Sequence, residues 1–204
     1  MSEIYALSDD ALTPPQTIFS QIDEILRCGV KLVQYRSKLA ARDEALIRSL
    51  IGLCEDYGAK LIINDDVALA KKLGAHGVHI GEGDGETAQV REFLGADKII
   101  GVSCYAGLAR AQKAEAQGAS YVAFGSLRRG KTKPDAPLCP DALVQEARKS
   151  LNLPIAVIGG INLENLDEIL ALKPDYIAMV EAIYKPASIT QNLANLKEKM
   201  DEYI

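Results

Sequence analysis

Eight short apolar runs punctuate the chain, and segments with helical spacing separate them. The runs are Ile4–Leu7, Leu32–Tyr35, Leu61–Ile63, Val78–Ile80, Ile99–Val102, Tyr121–Phe124, Ile155–Ile158 and Tyr176–Val180. Each is largely apolar on both faces, as a parallel strand covered by helices must be. Between them, Ile18, Ile22, Ile25 and Leu26 form one helical stripe, and Leu46, Leu50, Leu53 and Cys54 another. Leu166, Ile169 and Leu170 continue the pattern, and Leu193 to Met200 reads as a closing helix. Strand and helix alternating eight times predict an α/β fold, a single (β/α)8 TIM barrel over residues 1–204. Gly29, Gly74 and Gly118 each end a predicted helix just before an even-numbered strand, where a left-handed C-cap is expected. Their near-equal spacing suits a repeat of two βα units. An open doubly wound sheet would carry a Gly-rich fingerprint after its first strand, and Ser8-Asp9-Asp10 is not one.

The bulk numbers narrow the function classes. A chain of 204 residues with 48% apolar and 25% charged side chains is an ordinary globular chain with room for one core. A net charge of −5 argues against a broad nucleic-acid surface, while leaving room for local cationic pockets. Cys28, Cys54, Cys104 and Cys139 lack paired spacing, so free thiols in a reducing cytoplasm are expected. No apolar stretch is long enough to cross a membrane, and a cytoplasmic location without membrane contact is the default. The oligomeric state is left open, and a homo-oligomer is compatible with the sequence.

Polar clusters follow the apolar runs, and in a barrel all strand ends open on one face. Gln34, Arg36 and Lys38 alternate after the second run, so amide, guanidinium and ammonium face one side of an extended segment, suited to an anion. A solvated loop with chance charges is the plain alternative. Asn64 and Asp65 follow the third run, and Asp84 lies in the loop Gly81–Gly85 after the fourth. Carboxylates from neighbouring loops, with phosphate oxygens, are a usual way to hold Mg²⁺. Asp65 and Asp84 also precede predicted helices and suit N-caps. Ser103 is placed to bond a ligand or cap a helix. Arg128-Arg129-Gly130-Lys131-Thr132-Lys133 is a basic loop after the sixth run. Gly159-Gly160-Ile161-Asn162 follows the seventh and is expected to open a helix whose bare N–H groups cradle phosphate. His76 and His79 straddle a loop and a strand, which favours a structural or supporting role over metal ligation.

In order, these clusters resemble the thiamine phosphate synthase family. The resemblance runs from Ile4-Tyr5-Ala6-Leu7-Ser8-Asp9 to Val180-Glu181-Ala182-Ile183. Its markers are Gln34-x-Arg36-x-Lys38, Ile63-Asn64-Asp65, Gly77-Val78-His79-Ile80-Gly81, Gly101-Val102-Ser103, Thr132-Lys133 and Ile158-Gly159-Gly160-Ile161. It implies condensation of 4-amino-2-methyl-5-(diphosphooxymethyl)pyrimidine with a thiazole phosphate, giving thiamine phosphate and pyrophosphate by dissociative displacement. The partners would be those two phosphorylated small molecules, with Mg²⁺ as cofactor. By position, Gln34, Arg36 and Lys38 would hold the diphosphate with Asn64 beside them, and Asp65 and Asp84 would ligate Mg²⁺. Ser103 would meet the diphosphate and the pyrimidine, and Lys133 the diphosphate. Thr132, Gly160 and the Val180-Glu181 backbone would receive the thiazole phosphate. Tyr35 and Ser37, and Gly130 and Lys131, complete the two binding segments, and Ser103, Lys133 and Arg36 form the candidate catalytic set.

Three positions depart from the family pattern. Arg128, Arg129 and Gly130 stand where an aromatic, a proline and a hydroxyl residue are common. Glu82 replaces a common Gln, and Glu181 a common Ser, leaving a carboxylate expected to turn away from phosphate. A thiazole tautomerase of the same superfamily would carry a histidine after Ser103, where Cys104 and Tyr105 stand. A barrel that binds thiazole or thiamine phosphate without turnover is the alternative from outside enzymology.

Overall fold

The computed structural model describes residues 2–39, 42–130 and 137–203. Eight parallel strands close into a barrel in sequence order, β1 pairing with both β2 and β8. The strands are β1 Glu3–Leu7, β2 Leu32–Tyr35, β3 Lys60–Asn64, β4 Gly77–Ile80, β5 Ile99–Tyr105, β6 Tyr121–Phe124, β7 Ile155–Ile158 and β8 Tyr176–Met179. The helices between and after them are α1 Ile18–Arg27, α2 Glu44–Asp56, α3 Val67–Leu73, α4 Thr87–Leu94, α5 Leu108–Ala116, α6 Asp141–Ser150, α7 Leu166–Leu170, α8 Glu181–Tyr184 and α9 Ile189–Glu202. Gly29, Gly74 and Gly118 have φ of +82°, +74° and +87°, the left-handed conformation expected at helix ends.

Period-two alternation divides each strand between two cores. Ile4, Ala6, Val33, Leu61, Ile63, Val78, Ile100, Val102, Val122 and Val157 face the helices. There they meet the α1 stripe Ile18, Ile22, Ile25 and Leu26, all buried. On α2 the buried residues are Ile47, Leu50, Ile51 and Cys54, while Leu46 and Leu53 sit half-exposed at the edge. The expected stripe was therefore rotated by about one residue. Five aliphatic side chains spread around that helix, and contact with the barrel rather than spacing decides which ones go inside.

The barrel interior is a separate packing unit. Tyr5, Leu7, Leu32, Ile62, Tyr121, Ala123, Ala156 and Ala178 fill it, with Ile99, Ile158, Tyr176 and Val180 at its margins. Tyr5, Tyr121 and Tyr176 meet edge to face, with ring centroids 5.8–6.4 Å apart. Such large rings fit only because neighbouring inward positions are small. Gly101 lies between His79 and Tyr121 in the strand register. A Cβ there would stand 2.0 Å from the Tyr121 ring.

Gly101→Ala is expected to lower stability by about 1–3 kcal/mol or more through overpacking. Gly52→Ala, at a position in α2 with open space around it, should raise stability by about 0.5–1 kcal/mol. Chemical unfolding of the two variants beside the wild type checks the contrast.

Candidate active site

The strand ends of β1 to β5 build one half of the barrel mouth. Gln34 points into the barrel and is buried. Beyond β2 the chain is held by the β1 loop. The Ser8 hydroxyl accepts the Arg36 N–H at 2.8 Å and contacts the Arg36 carbonyl at 3.1 Å, and the Asp10 carboxylate accepts the Lys38 N–H at 2.7 Å. That bracing keeps Arg36 and Lys38 extended after the strand has ended. Tyr35 and Ser37 alternate to the opposite side. Tyr35 packs in the outer core, and buried Ser37 accepts the Leu39 N–H. Ligand contact from these two would come from backbone alone. The Lys38 ammonium crosses to β3 and donates to Asp65 at 2.6 Å.

Neither candidate metal carboxylate is used as a helix cap. Asp66 caps α3, its Oδ1 accepting the Leu69 N–H at 2.8 Å. Asp65 takes a left-handed conformation, φ +66°, and its N–H donates to the His79 carbonyl at 2.8 Å. Asp84 turns back to accept the Gly81 N–H at 2.7 Å, while Glu86 holds the N-cap position of α4. Partial burial would raise the Asp65 pKa, but the Lys38 ammonium outweighs it and holds it below the usual value. Two carboxylates from adjacent strand ends, one of them firmly ionised, form a hard-oxygen donor pair of the kind Mg²⁺ takes. Among the described residues no third acidic or imidazole group joins them, so phosphate and water oxygens would complete the shell.

Ser103 lies where β5 bulges, the register shifting between Ser103 and Tyr105. It is not a helix cap; Gly107 precedes α5. Its hydroxyl is 2.8 Å from His79 Nε2, and its carbonyl accepts the Arg110 guanidinium at 2.7 Å. His79 Nδ1 is 2.8 Å from the Tyr121 hydroxyl, which is 2.8 Å from that of Tyr5, and Gln34 Nε2 donates to Tyr5 at 2.7 Å. His79 is buried, which pushes its pKa down to about 4 against a smaller opposing pull from Asp65. No local sequence pattern marks Tyr105 or Arg110 as part of the mouth. The Tyr105 hydroxyl accepts the Glu82 N–H at 3.3 Å and so steadies the loop that carries Asp84.

The other half of the mouth comes from β6, β7 and β8. Lys131, Thr132 and Lys133 lie outside the described residues. Arg128, read from sequence as part of a cationic loop toward ligand, instead turns to α6 and α7. It bonds Asp141 through two nitrogens at 2.8 and 2.9 Å, and Glu168 at 2.9 Å. The expectation that Gly159–Asn162 opens a helix is corrected: α7 begins only at Leu166. Asn162 Oδ1 accepts the N–H groups of Glu164 and Asn165, and that side-chain turn delays the helix. The two glycines have φ of +111° and +59°. A Cβ on Gly160 would be 2.6 Å from the Arg129 carbonyl, so they let the β6 loop close onto β7. Gly130 completes that approach, its hypothetical Cβ 3.3 Å from the Gly160 nitrogen. Val180 ends the β8 segment and Glu181 is the first residue of α8, where an acidic side chain suits the helix dipole.

Residues 4–183 match the family described as thiamine monophosphate synthase. The chain belongs to that family. It is 42% identical to the thiamine-phosphate synthase of Thioalkalivibrio sulfidiphilus over 183 residues, 89% of this chain and 87% of that protein. With the enzyme of Nitrosococcus oceani it shares 43% identity over 188 residues, 91% of this chain and 87% of the relative. Thiamine phosphate pyrophosphorylase from Pyrococcus furiosus superposes with a TM-score of 0.87 at 28% identity, covering 99% of this chain and 96% of that one. A 3-hexulose-6-phosphate synthase, at 17% identity and a TM-score of 0.74, shares the fold alone. Against the thiamine phosphate synthase pattern, Gln34, Lys38, Asp65, Asp84 and Ser103 are linked here through direct contacts and the interior hydrogen bonds. By sequence alone, Tyr5 and Tyr121 are strand residues and nothing more. Their inward register, shared with Gln34 and His79, was the available signal.

His79 supplies a pH prediction. The unfolded chain takes up a proton near 6.5, the folded imidazole only near 4. The folded-state value is depressed, so stability is full above about 6.5, falls as pH drops toward 4, and levels below. The loss reaches up to about 3 kcal/mol. His76 is also lowered, by burial and the Lys60 charge, so comparison with His79→Asn isolates the part due to His79. Unfolding midpoints between pH values of about 4 and 7 should fall less steeply in that variant.

Proposed function

We propose that the protein condenses the pyrimidine diphosphate named above with a thiazole phosphate, releasing pyrophosphate, with Mg²⁺ as the metal. The observation that carries the reading is the contact between Lys38 and Asp65 with Asp84 alongside. Opposite charges meet where a diphosphate and its cation would arrive together, so each ligand charge finds a partner already in place. Bound Mg²⁺ would supply charge neutralisation on the departing diphosphate, held by Asp65 and Asp84.

The remaining work falls to the chain's own groups. Arg36 offers a planar fork to phosphate oxygens and Lys38 a point charge, both on a segment fixed by Ser8 and Asp10. A dissociative displacement needs no covalent nucleophile; it needs the leaving group stabilised and the thiazole nitrogen held close. Ser103 sits between these sides on a bulged strand whose carbonyl is anchored by Arg110. Gly160, Val180 and the segment Gly130–Lys133 are assigned to the thiazole phosphate, with Lys133 shared with the diphosphate. The tautomerase alternative lacks a base at its expected place, because Cys104 is buried and its thiol is pushed up to about 12.

Pyrophosphate release should require both the thiazole phosphate and Mg²⁺ and should stop with chelator. Asp84→Asn and Lys133→Ala should each reduce it on the order of 10²-fold. Thiazole-phosphate binding with no pyrophosphate release from the wild type in any metal would replace this reading with that of a binding protein.

A further inference from the structure

We propose that a one-way chain of hydrogen bonds, Gln34–Tyr5–Tyr121–His79–Ser103, crosses the barrel interior and presents the Ser103 hydroxyl proton to the ligand. Tyr5, Tyr121 and His79 are then positioning residues. The inference rests on the reading of Ser103 as a ligand contact.

The direction follows from proton counting. Gln34 Nε2 donates to the Tyr5 oxygen at 2.7 Å. Tyr5 has one hydroxyl proton, and the Tyr121 oxygen at 2.8 Å takes it. Tyr121 likewise has one proton, which goes to His79 Nδ1 at 2.8 Å. The single proton of the imidazole is therefore on Nε2 and points to Ser103 Oγ, 2.8 Å away. Having accepted there, Ser103 keeps its own proton for a ligand oxygen. With the Gln34 amide as placed, the opposite direction leaves the fully enclosed Tyr5 proton without an acceptor, at a cost of about 1–3 kcal/mol.

Turning the Gln34 amide over would reverse every bond and make Ser103 an acceptor toward the ligand. An anion at Ser103 requires a donor and so selects the first direction. Gln34 thus sets the polarity at one edge of the mouth, and Ser103 reads it out at the other. No side chain in the chain is charged, so the setting depends on hydrogen-bond direction alone.

The test is nitrogen-15 NMR of the histidine rings, with and without pyrophosphate and Mg²⁺, alongside steady-state kinetics. The chain has two histidines, and His79→Asn identifies which signals belong to His79. The expected result is a fixed Nε2–H tautomer in the wild type. Tyr121→Phe should lose that fixed tautomer and about tenfold in turnover, mostly in kcat rather than KM. Tyr176→Phe touches the same ring cluster but lies outside the chain of bonds, and should keep both tautomer and turnover. If Tyr121→Phe does not fold, Gln34→Glu serves in its place: a carboxylate there accepts the Tyr5 proton, reverses the chain and should move the imidazole proton of His79 to Nδ1.

A wild-type Nδ1–H tautomer in the presence of pyrophosphate and Mg²⁺ would overturn the proposal. So would wild-type kcat in a folded Tyr121→Phe enzyme. Absence of pyrophosphate release by the wild type would strike the synthase reading, while the tautomer would still decide the direction of the chain.

Discussion

Closing eight parallel strands leaves an interior that must be filled, and here three tyrosine rings fill much of it. Rings of that size bring hydroxyl groups into the buried interior, where an unpaired donor is costly. Two of the three hydroxyls solve this by bonding each other, and their remaining partners are Gln34 and His79. Packing of the barrel and placement of the mouth residues are thus one problem. Gly101 is where the two meet, because its missing side chain lets Tyr121 reach His79 from the next strand but one.

Above that layer, each element at the barrel mouth is fixed by a neighbouring side chain. Ser8 and Asp10 hold the chain of Arg36 and Lys38. Asp66 takes the capping task on α3, which leaves Asp65 for Lys38 and the mouth. Tyr105 steadies the loop of Asp84, and Arg110 the backbone of Ser103. This division leaves the strand-end side chains, rather than the helix caps, turned to the mouth. A loop whose backbone is held by a neighbour's side chain keeps its own charged side chains available to pair across the mouth, as Lys38 and Asp65 do.

The barrel was legible because parallel strands covered on both faces leave short apolar runs, and the eight runs fall on the eight strands with ends shifted by no more than three residues. The mouth was legible for the same reason, since a polar residue that ends such a run has only one place to go. Alternation of Gln34, Arg36 and Lys38 could be read, and so could the placing of Asp65 and Asp84 in neighbouring loops. What could not be read depended on contacts between distant segments. The rotation of the α2 stripe, the choice of Asp66 over Asp65 as cap, and the Asn162 turn before α7 are each settled by neighbours in space. The Tyr5–Tyr121 contact joins residues 116 apart, and no local pattern records it.

The β6 loop shows how a departure from a family pattern can be structural in origin. Arg128 stands where an aromatic residue is common, and it looks in sequence like added positive charge for a phosphate. Its guanidinium is instead engaged by Asp141 on α6 and Glu168 on α7. Two carboxylates on one fork leave little free charge to offer a ligand. Two residues on, Gly130 replaces a hydroxyl residue and lies against Gly160, where a Cβ would be 3.3 Å from backbone nitrogen. The two changes act on the two sides of one segment: Arg128 ties it outward to the helices, and Gly130 itself lies close against Gly160. An arginine that looks in sequence like added charge for a ligand is thus a tie between β6, α6 and α7, which shifts the proposed role of meeting phosphate from Arg128 to the other basic residues of its segment.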